Sequence, residues 1–420
     1  MRARTLLTAL AAPIVMGAAC SRPVVTIATP APAPAATPNL ALGIDVLLRD
    51  SLHVLRGKRV GLITNHTGRN AAGETTIDLL HRAPGVSLVA LFSPEHGIRG
   101  TAEAGEKVGS SVDQQTGLPV RSLYGETRVP TAEMLADVDV LVYDIQDVGA
   151  RVYTYVWTMA LAAEAAGKLG KSFVVLDRPN PIRGDRVDGG VLDTAFRSFV
   201  GQFPTALRYG FTPGELMRWL VATGQVKVDL TVVPMKGYRR SMWWEETGLP
   251  WINPSPNLRS VDASLVYTGT VFFEGTNLSE GRGTDKPFQL VGAEWLTDAP
   301  VIASVLNSRN IPGVRFSSAT RTVAEGQKWG GKTIPMIEVT VTDRNAVKPV
   351  MIGAWMLAEI YARHGRTAGE FEWRVRHMDQ LFGSRRLREA VEANRVAELL
   401  PVLEQESAQF VEATRQYWLY

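Results

Sequence analysis

Residues 138–177 read VDVLVYDIQDVGARVYTYVWTMALAAEAAGKLGKSFVVLD. Two short apolar runs, 138–145 (VDVLVYDI) and 172–177 (SFVVLD), flank 152–169, which is rich in alanine and large apolar side chains and contains no proline. Continuous apolar strands of this length suit a sheet covered on both faces, and the proline-free stretch suits a covering helix. The same rhythm extends in both directions. Residues 59–64 (RVGLIT) and 86–92 (VSLVALF) read as strands, with a short helix predicted over 75–82 between them. Downstream, Thr212-Pro213-Gly214-Glu215 supplies a cap, an early proline and an acid at the third helical position. Strands alternating with helices predict an α/β fold built on a mostly parallel, doubly wound sheet.

Ligands of such sheets gather beyond the C-terminal strand ends. Four strands here run into polar, Gly- or Pro-punctuated loops: Asn65-His66-Thr67-Gly68, 93–100 (SPEHGIRG), 144–151 (DIQDVGAR) and 177–181 (DRPNP). The first of these lacks the closely spaced glycines that admit a pyrophosphate against backbone donors, and Gly281-Arg282-Gly283 is too short a pattern to count. No H-E-x-x-H helix, paired cysteines or Gly-x-Ser-x-Gly elbow occurs, which leaves a zinc site or an ordinary serine hydrolase without support. No cofactor is expected. A net charge of +3 argues against a nucleic-acid partner.

The N-terminus carries Arg2 and Arg4 before a short apolar run, 6–19, that ends at Cys20, the only cysteine. This pattern predicts an export segment over 1–20, with small residues before Cys20 resembling a bacterial lipoprotein processing site. Ordinary cleavage near Ala19, leaving a free thiol in an exported protein, is the alternative. Residues 21–41 form a Pro/Ala-rich spacer, and 42–235 the parallel-sheet domain. From about residue 234 the composition changes, with Trp243, Trp244 and Trp251, an apolar strand expected at 268–273 before Glu274, and a later strand (334–341) and helix (349–363). A smaller α+β domain is therefore expected over 236–420. Nothing in the sequence fixes an oligomeric state.

The motifs SPEHGIRG, YDIQDVGARVYTYVWTM, LDRPNP and FFEGTNLSEGRGT, in this order, resemble the exo-β-N-acetylmuramidase family, glycoside hydrolase family 171. The resemblance runs from about Leu42 to the C-terminus. It implies a Rossmann-like N-terminal domain, a smaller C-terminal domain and a substrate cleft between them. The implied reaction releases terminal N-acetylmuramic acid (MurNAc) from peptidoglycan fragments, most naturally peptide-free MurNAc-GlcNAc pieces. Lipidation at Cys20 would place the enzyme on a membrane in the periplasm or at the cell surface.

Glycosidic cleavage needs a proton for the departing oxygen and commonly a second carboxylate. Glu95, in a strand-end turn within the first motif, is the leading proton donor, with His96 beside it to orient it or bind a hydroxyl. Glu274 is the best second carboxylate, and Asp144 and Asp147 compete from the other domain. The sequence leaves inversion, retention and assistance by the substrate acetamido group open. The lactyl carboxylate of MurNAc calls for an arginine fork. Arg99, Arg151, Arg178 and Arg282 are candidates, with Arg151 preferred because it lies where a sheet loop enters a helix. Asn65, His66, Gln146, Asn180 and Asn277 could bind hydroxyl or acetamido groups, and Trp243 or Trp244 could stack on a sugar. The alternative is a noncatalytic muropeptide- or sugar-binding lipoprotein, which needs the polar loops but no protonated Glu95.

Overall fold

A computed structural model describes residues 40–95, 97–98 and 109–420, which belong to one compact body, Pro38–Tyr420. The export segment, Cys20, nearly all of the spacer, His96 and Arg99 lie outside the described residues.

The chain forms β1 (Arg59–Thr64), β2 (Ser87–Ser93), β3 (Ser111–Val112), β4 (Pro119–Ser122), β5 (Val140–Asp144), β6 (Ser172–Leu176), a hairpin pair β7 (Asp188–Val191) and β8 (Ala206–Arg208), and β9 (Asp229–Val233). All but the hairpin pair share one sheet in the order β3-β4-β2-β1-β5-β6-β9, parallel throughout except for β3 on the edge. Counted by sequence, the parallel strands run third, second, first, fourth, fifth, sixth, which is the doubly wound order, with its switch point between β1 and β5. The N-terminal domain is thus Rossmann-like.

The central strands are buried, with helices packed against them. Every residue of β5 is buried, and Phe92, Leu141 and Phe173 are fully enclosed, each worth roughly 1.5–3 kcal/mol of transfer free energy. The helices of this half are α1 (Gly43–Val46), α2 (Thr76–His81), α3 (Tyr155–Lys168) and α4 (Pro213–Ala222). Ala160, Ala162, Ala163 and Ala166 of α3 are wholly buried, so small side chains fill much of its packed surface alongside Trp157 and Met159. α4 begins as its sequence demands: Thr212 accepts from Glu215 N at 3.2 Å, and Glu215 accepts from Thr212 N at 3.0 Å.

The smaller C-terminal domain is α+β. It comprises α5 (Val261–Thr270), a 3-10 turn Val271–Gly275, β10 (Leu290–Gly292), α6 (Ala299–Ser308), β11 (Val314–Thr322), β12 (Thr333–Val341), α7 (Pro349–His364), α8 (Val375–Phe382), α9 (Arg386–Glu392) and α10 (Val396–Thr414). β10, β12 and β11 make an antiparallel sheet in that order. One local expectation fails here. Residues 268–273 are not a strand: they close α5 and enter the 3-10 turn. Apart from Asp262, α5 is buried all round, so it shows none of the one-sided periodicity that marks a surface helix. It crosses α7 at Gly269 and Gly353, where any β-carbon would strike the opposite backbone. Trp244 packs edge-on against Trp251, and the Trp243 indole donates to Asn345 Oδ1 at 3.1 Å.

Candidate active site

A cavity of about 840 Å³ opens between the ends of β2 and β4 on one side and α5, the 3-10 turn and α8 on the other. Glu95 follows β2 directly and is half-buried in this wall. Thr154, the residue before α3, donates its hydroxyl to Glu95 Oε2 at 2.7 Å. Tyr124, just past β4, lies close enough that its phenol is pushed up, first by burial and then by the Glu95 charge.

The opposite wall carries Glu274 on the 3-10 turn. Arg282 bridges two acids, Nη2 to Glu274 Oε1 at 2.8 Å and Nε to Glu280 Oε1 at 3.1 Å. His377 Nε2 stands 3.8 Å from the other Glu274 oxygen. Burial alone would push the Glu274 carboxyl up, but His377 and Arg282 outweigh it and hold the group at about 2. Glu280 is in turn paired with Lys328 at 2.9 Å, whose ammonium also donates to the carbonyls of Phe273, Thr276 and Leu278. That lysine fixes the loop on which Glu274 and Arg282 ride.

Tyr153 and Tyr267 form the floor, packed edge to face at 6.3 Å between ring centres. Burial is the main cause raising the Tyr267 phenol, and the charges of Glu274 and Glu95 both add to it, with Arg282 opposing. Two acids from different domains therefore face one cavity, one hydroxyl-bonded and one held ionised. Among the described residues no group of His, Cys, Asp or Glu side chains converges to hold a metal ion.

Residues 60–262 match the family model described as the N-terminal part of exo-beta-N-acetylmuramidase NamZ, and residues 265–420 match its C-terminal counterpart. The chain belongs to the NamZ exo-β-N-acetylmuramidase family. It is 43% identical over 385 residues to the peptidoglycan beta-N-acetylmuramidase NamZ of Bacillus subtilis (strain 168), covering 91% of this chain and 92% of that one. Two solved structures of DUF1343 family proteins from Bacteroides fragilis NCTC 9343 share the fold. One matches with a TM-score of 0.85 at 38% identity and the other with 0.71 at 27%, each over 91% of this chain and 99% of its own.

Within this NamZ-family fold, Glu95, Glu274 and Arg282 come together at the cavity, while other expected residues serve the scaffold. Arg151, the preferred lactyl reader, is fully buried. Its guanidinium donates to the carbonyls of Thr205 at 3.1 Å, Leu381 at 3.1 Å and Phe382 at 2.6 Å. The last two are the C-terminal carbonyls of α8, where a cation meets the negative end of the helix dipole. Arg151 thus ties the two domains together and presents nothing to a ligand. Asp144 and Arg178 are likewise spent on each other: both oxygens of the acid face the arginine, and Thr76 donates to one of them.

The amides follow the same pattern. Asn65 Oδ1 accepts from Thr67 N and Oγ1, and Gln146 Nε2 donates to the carbonyls of Asp147 and Pro179. Asn180 bridges Phe211 O and Ile182 N, Asn277 bridges Glu370 O and Glu372 N, and His66 Nε2 pairs with Asn253 O at 2.8 Å. The crevice at the β1/β5 switch point is therefore closed by the protein's own side chains, and the open space lies beyond β2 and β4 instead. Sequence reading missed Tyr124, Thr154, Tyr267, Lys328, Arg374 and His377. Lys328, Arg374 and His377 come from segments with no motif, and only the folded chain brings them to the cavity.

Proposed function

We propose that this protein is an exo-acting β-N-acetylmuramidase that hydrolyses MurNAc from the non-reducing end of peptidoglycan fragments. The observation that carries the reading is the pairing of Glu95 and Glu274 across one cavity, in a chain 43% identical to a peptidoglycan beta-N-acetylmuramidase. Peptide-free MurNAc-GlcNAc pieces are the substrates the reading favours. Glu95 delivers its proton to the glycosidic oxygen as the bond from that oxygen to the anomeric carbon breaks, and water supplies the hydroxyl that ends on the sugar. Positive charge develops at the anomeric carbon in the transition state. Glu274, kept ionised by Arg282 and His377, supplies the opposing negative charge. The tyrosine floor excludes water beneath the sugar.

A chromogenic β-muramide and the matched N-acetylglucosaminide test this directly. Turnover of the first well above that of the second supports the reading. Binding of MurNAc without turnover of either substrate returns the protein to the class of sugar-binding lipoproteins. The same reading places the enzyme outside the cytoplasm, anchored through lipidated Cys20, and intact-mass analysis of the mature N-terminus tests that separately.

A further inference from the structure

The lactyl carboxylate separates MurNAc from N-acetylglucosamine, so a selective site needs a cation with free donors. Besides His377, the cavity is lined by Arg128, Arg282, Lys328 and Arg374. Arg282 is neutralised by Glu274 and Glu280, and Lys328 spends its ammonium on Glu280 and three carbonyls. Arg128 is placed differently. Its guanidinium lies 4.1 Å from the centre of the Phe199 ring and 5.2 Å from that of Tyr124, and among the described residues no carboxylate pairs with it. Part of its N–H edge is turned to the Tyr124 phenol, and a guanidinium held by its face leaves the remaining in-plane donors for a carboxylate.

The platform beneath it is itself fixed. Phe199 sits in a tight turn closed by reciprocal backbone bonds between Ser198 and Gly201, both 3.0 Å. Ser198 lines the same cavity, and its buried hydroxyl has no hydrogen-bond partner among the described residues. Arg374 also lacks an ion pair there, but no aromatic ring holds it among the described residues, and its charge is felt at Lys328, beside Glu280 and Glu274. An incoming carboxylate on that side meets two acids already in place.

We propose that Arg128, stacked on Phe199 and Tyr124, binds the lactyl carboxylate of the terminal sugar and sets the preference for muramic acid, with the Ser198 hydroxyl as a second donor. This rests on the muramidase reading above. Arg128 acts on the substrate away from the bond that breaks, so its loss weakens capture of the sugar more than the chemical step.

The test compares kcat/KM for a chromogenic MurNAc glycoside, its lactyl methyl ester and the matched GlcNAc glycoside, in wild type and in Arg128→Gln, Arg128→Lys and Arg374→Gln. A hydrogen-bonded charge pair is worth about 10- to 100-fold in binding. Arg128→Gln should lose about that factor on the muramide, mostly through KM, and change little on the GlcNAc glycoside. Arg128→Lys should recover part of the loss. The methyl ester should cost the wild type a similar factor and cost Arg128→Gln almost nothing further, since the two changes remove the same contact. Equal losses on all three substrates, or selectivity that disappears in Arg374→Gln instead, would overturn the assignment. A wild type that turns over no muramide at all would sink the muramidase reading rather than this residue.

Discussion

The Thr154 hydroxyl lies 2.7 Å from Glu95 Oε2, a contact between the N-cap of α3 and the loop that leaves β2. It helps fix the carboxyl at the strand end, in a turn closed by Gly97 N donating to Pro94 O at 3.1 Å. Glu95→Gln keeps the shape and removes the transferable proton. Loss of general acid catalysis typically costs about 100- to 10,000-fold, so turnover of a poorly departing aglycone should fall by that order. A nitrophenolate, which leaves without protonation, should show a much smaller defect. Comparable defects on both aglycones with sugar binding intact would remove Glu95 as the proton donor. Thr154→Val should reduce turnover less, because it disturbs the orientation of the acid and not its chemistry.

Glu274 offers a pH prediction. Its folded value of about 2 lies below the ordinary 4.5, so the stabilisation it contributes is complete above 4.5 and is lost as pH falls toward 2. Arg282→Met removes one of the two cations that offset burial, and the carboxyl should rise. The acid limb of kcat/KM against pH should then move toward neutrality in the variant. An unchanged limb with a uniformly lower rate would mean that Glu274 does not have to be ionised for turnover.

Arg151 should behave as a structural residue. Arg151→Met leaves the carbonyls of Thr205, Leu381 and Phe382 without their donor inside the protein. A loss of about 3 kcal/mol in unfolding free energy is expected, from the cost of unsatisfied buried groups. Denaturant titration measures it. The ratio of activity on muramide to that on N-acetylglucosaminide should stay at the wild-type value in whatever protein remains folded, and a collapsed ratio would restore Arg151 as a substrate contact.

Asp147 carries the opposite sign from Glu274. Burial pushes its carboxyl up to about 6, only partly offset by donors from Tyr209, Gly149 N and Val148 N, and its Oδ1 has no hydrogen-bond partner among the described residues. The folded state therefore holds a proton that the unfolded chain releases. Stability falls as pH rises from about 4 to about 6, then levels off. Asp147→Asn removes that titration. In unfolding experiments the variant should gain on the wild type across this window and should keep its activity, which distinguishes it from Glu274→Gln.

What could be read from the sequence and what could not divide on a physical line. The runs 138–145 and 172–177, the proline-free 152–169 and the Thr212–Glu215 cap are local signals, and each became the element expected. Glu95, Glu274 and Arg282 were reachable because they lie inside glycine-punctuated motifs. Arg151, Asp144 and Arg178 misled because a charged side chain at a strand end looks the same in sequence whether it faces solvent or a buried partner. Arg151 meets its acceptors at Leu381 and Phe382, more than two hundred positions away. Lys328 and His377 were invisible for the same reason: single residues in plain surroundings, given meaning only by the fold.

The crossing of α5 and α7 at Gly269 and Gly353 has a consequence for how this enzyme can change. The two helix backbones touch without side chains between them, and Glu274 rides on the turn that leaves α5. Glu95 belongs to the other domain, so that backbone contact supports only the Glu274 side of the gap, while contacts between the domains such as Arg151 on the α8 carbonyls hold the two sides together. Changes in the surface loops around the opening leave this support in place. A single methyl group at Gly269 or Gly353 would do what no change in a surface loop does: force α5 and α7 apart and shift the turn that carries Glu274.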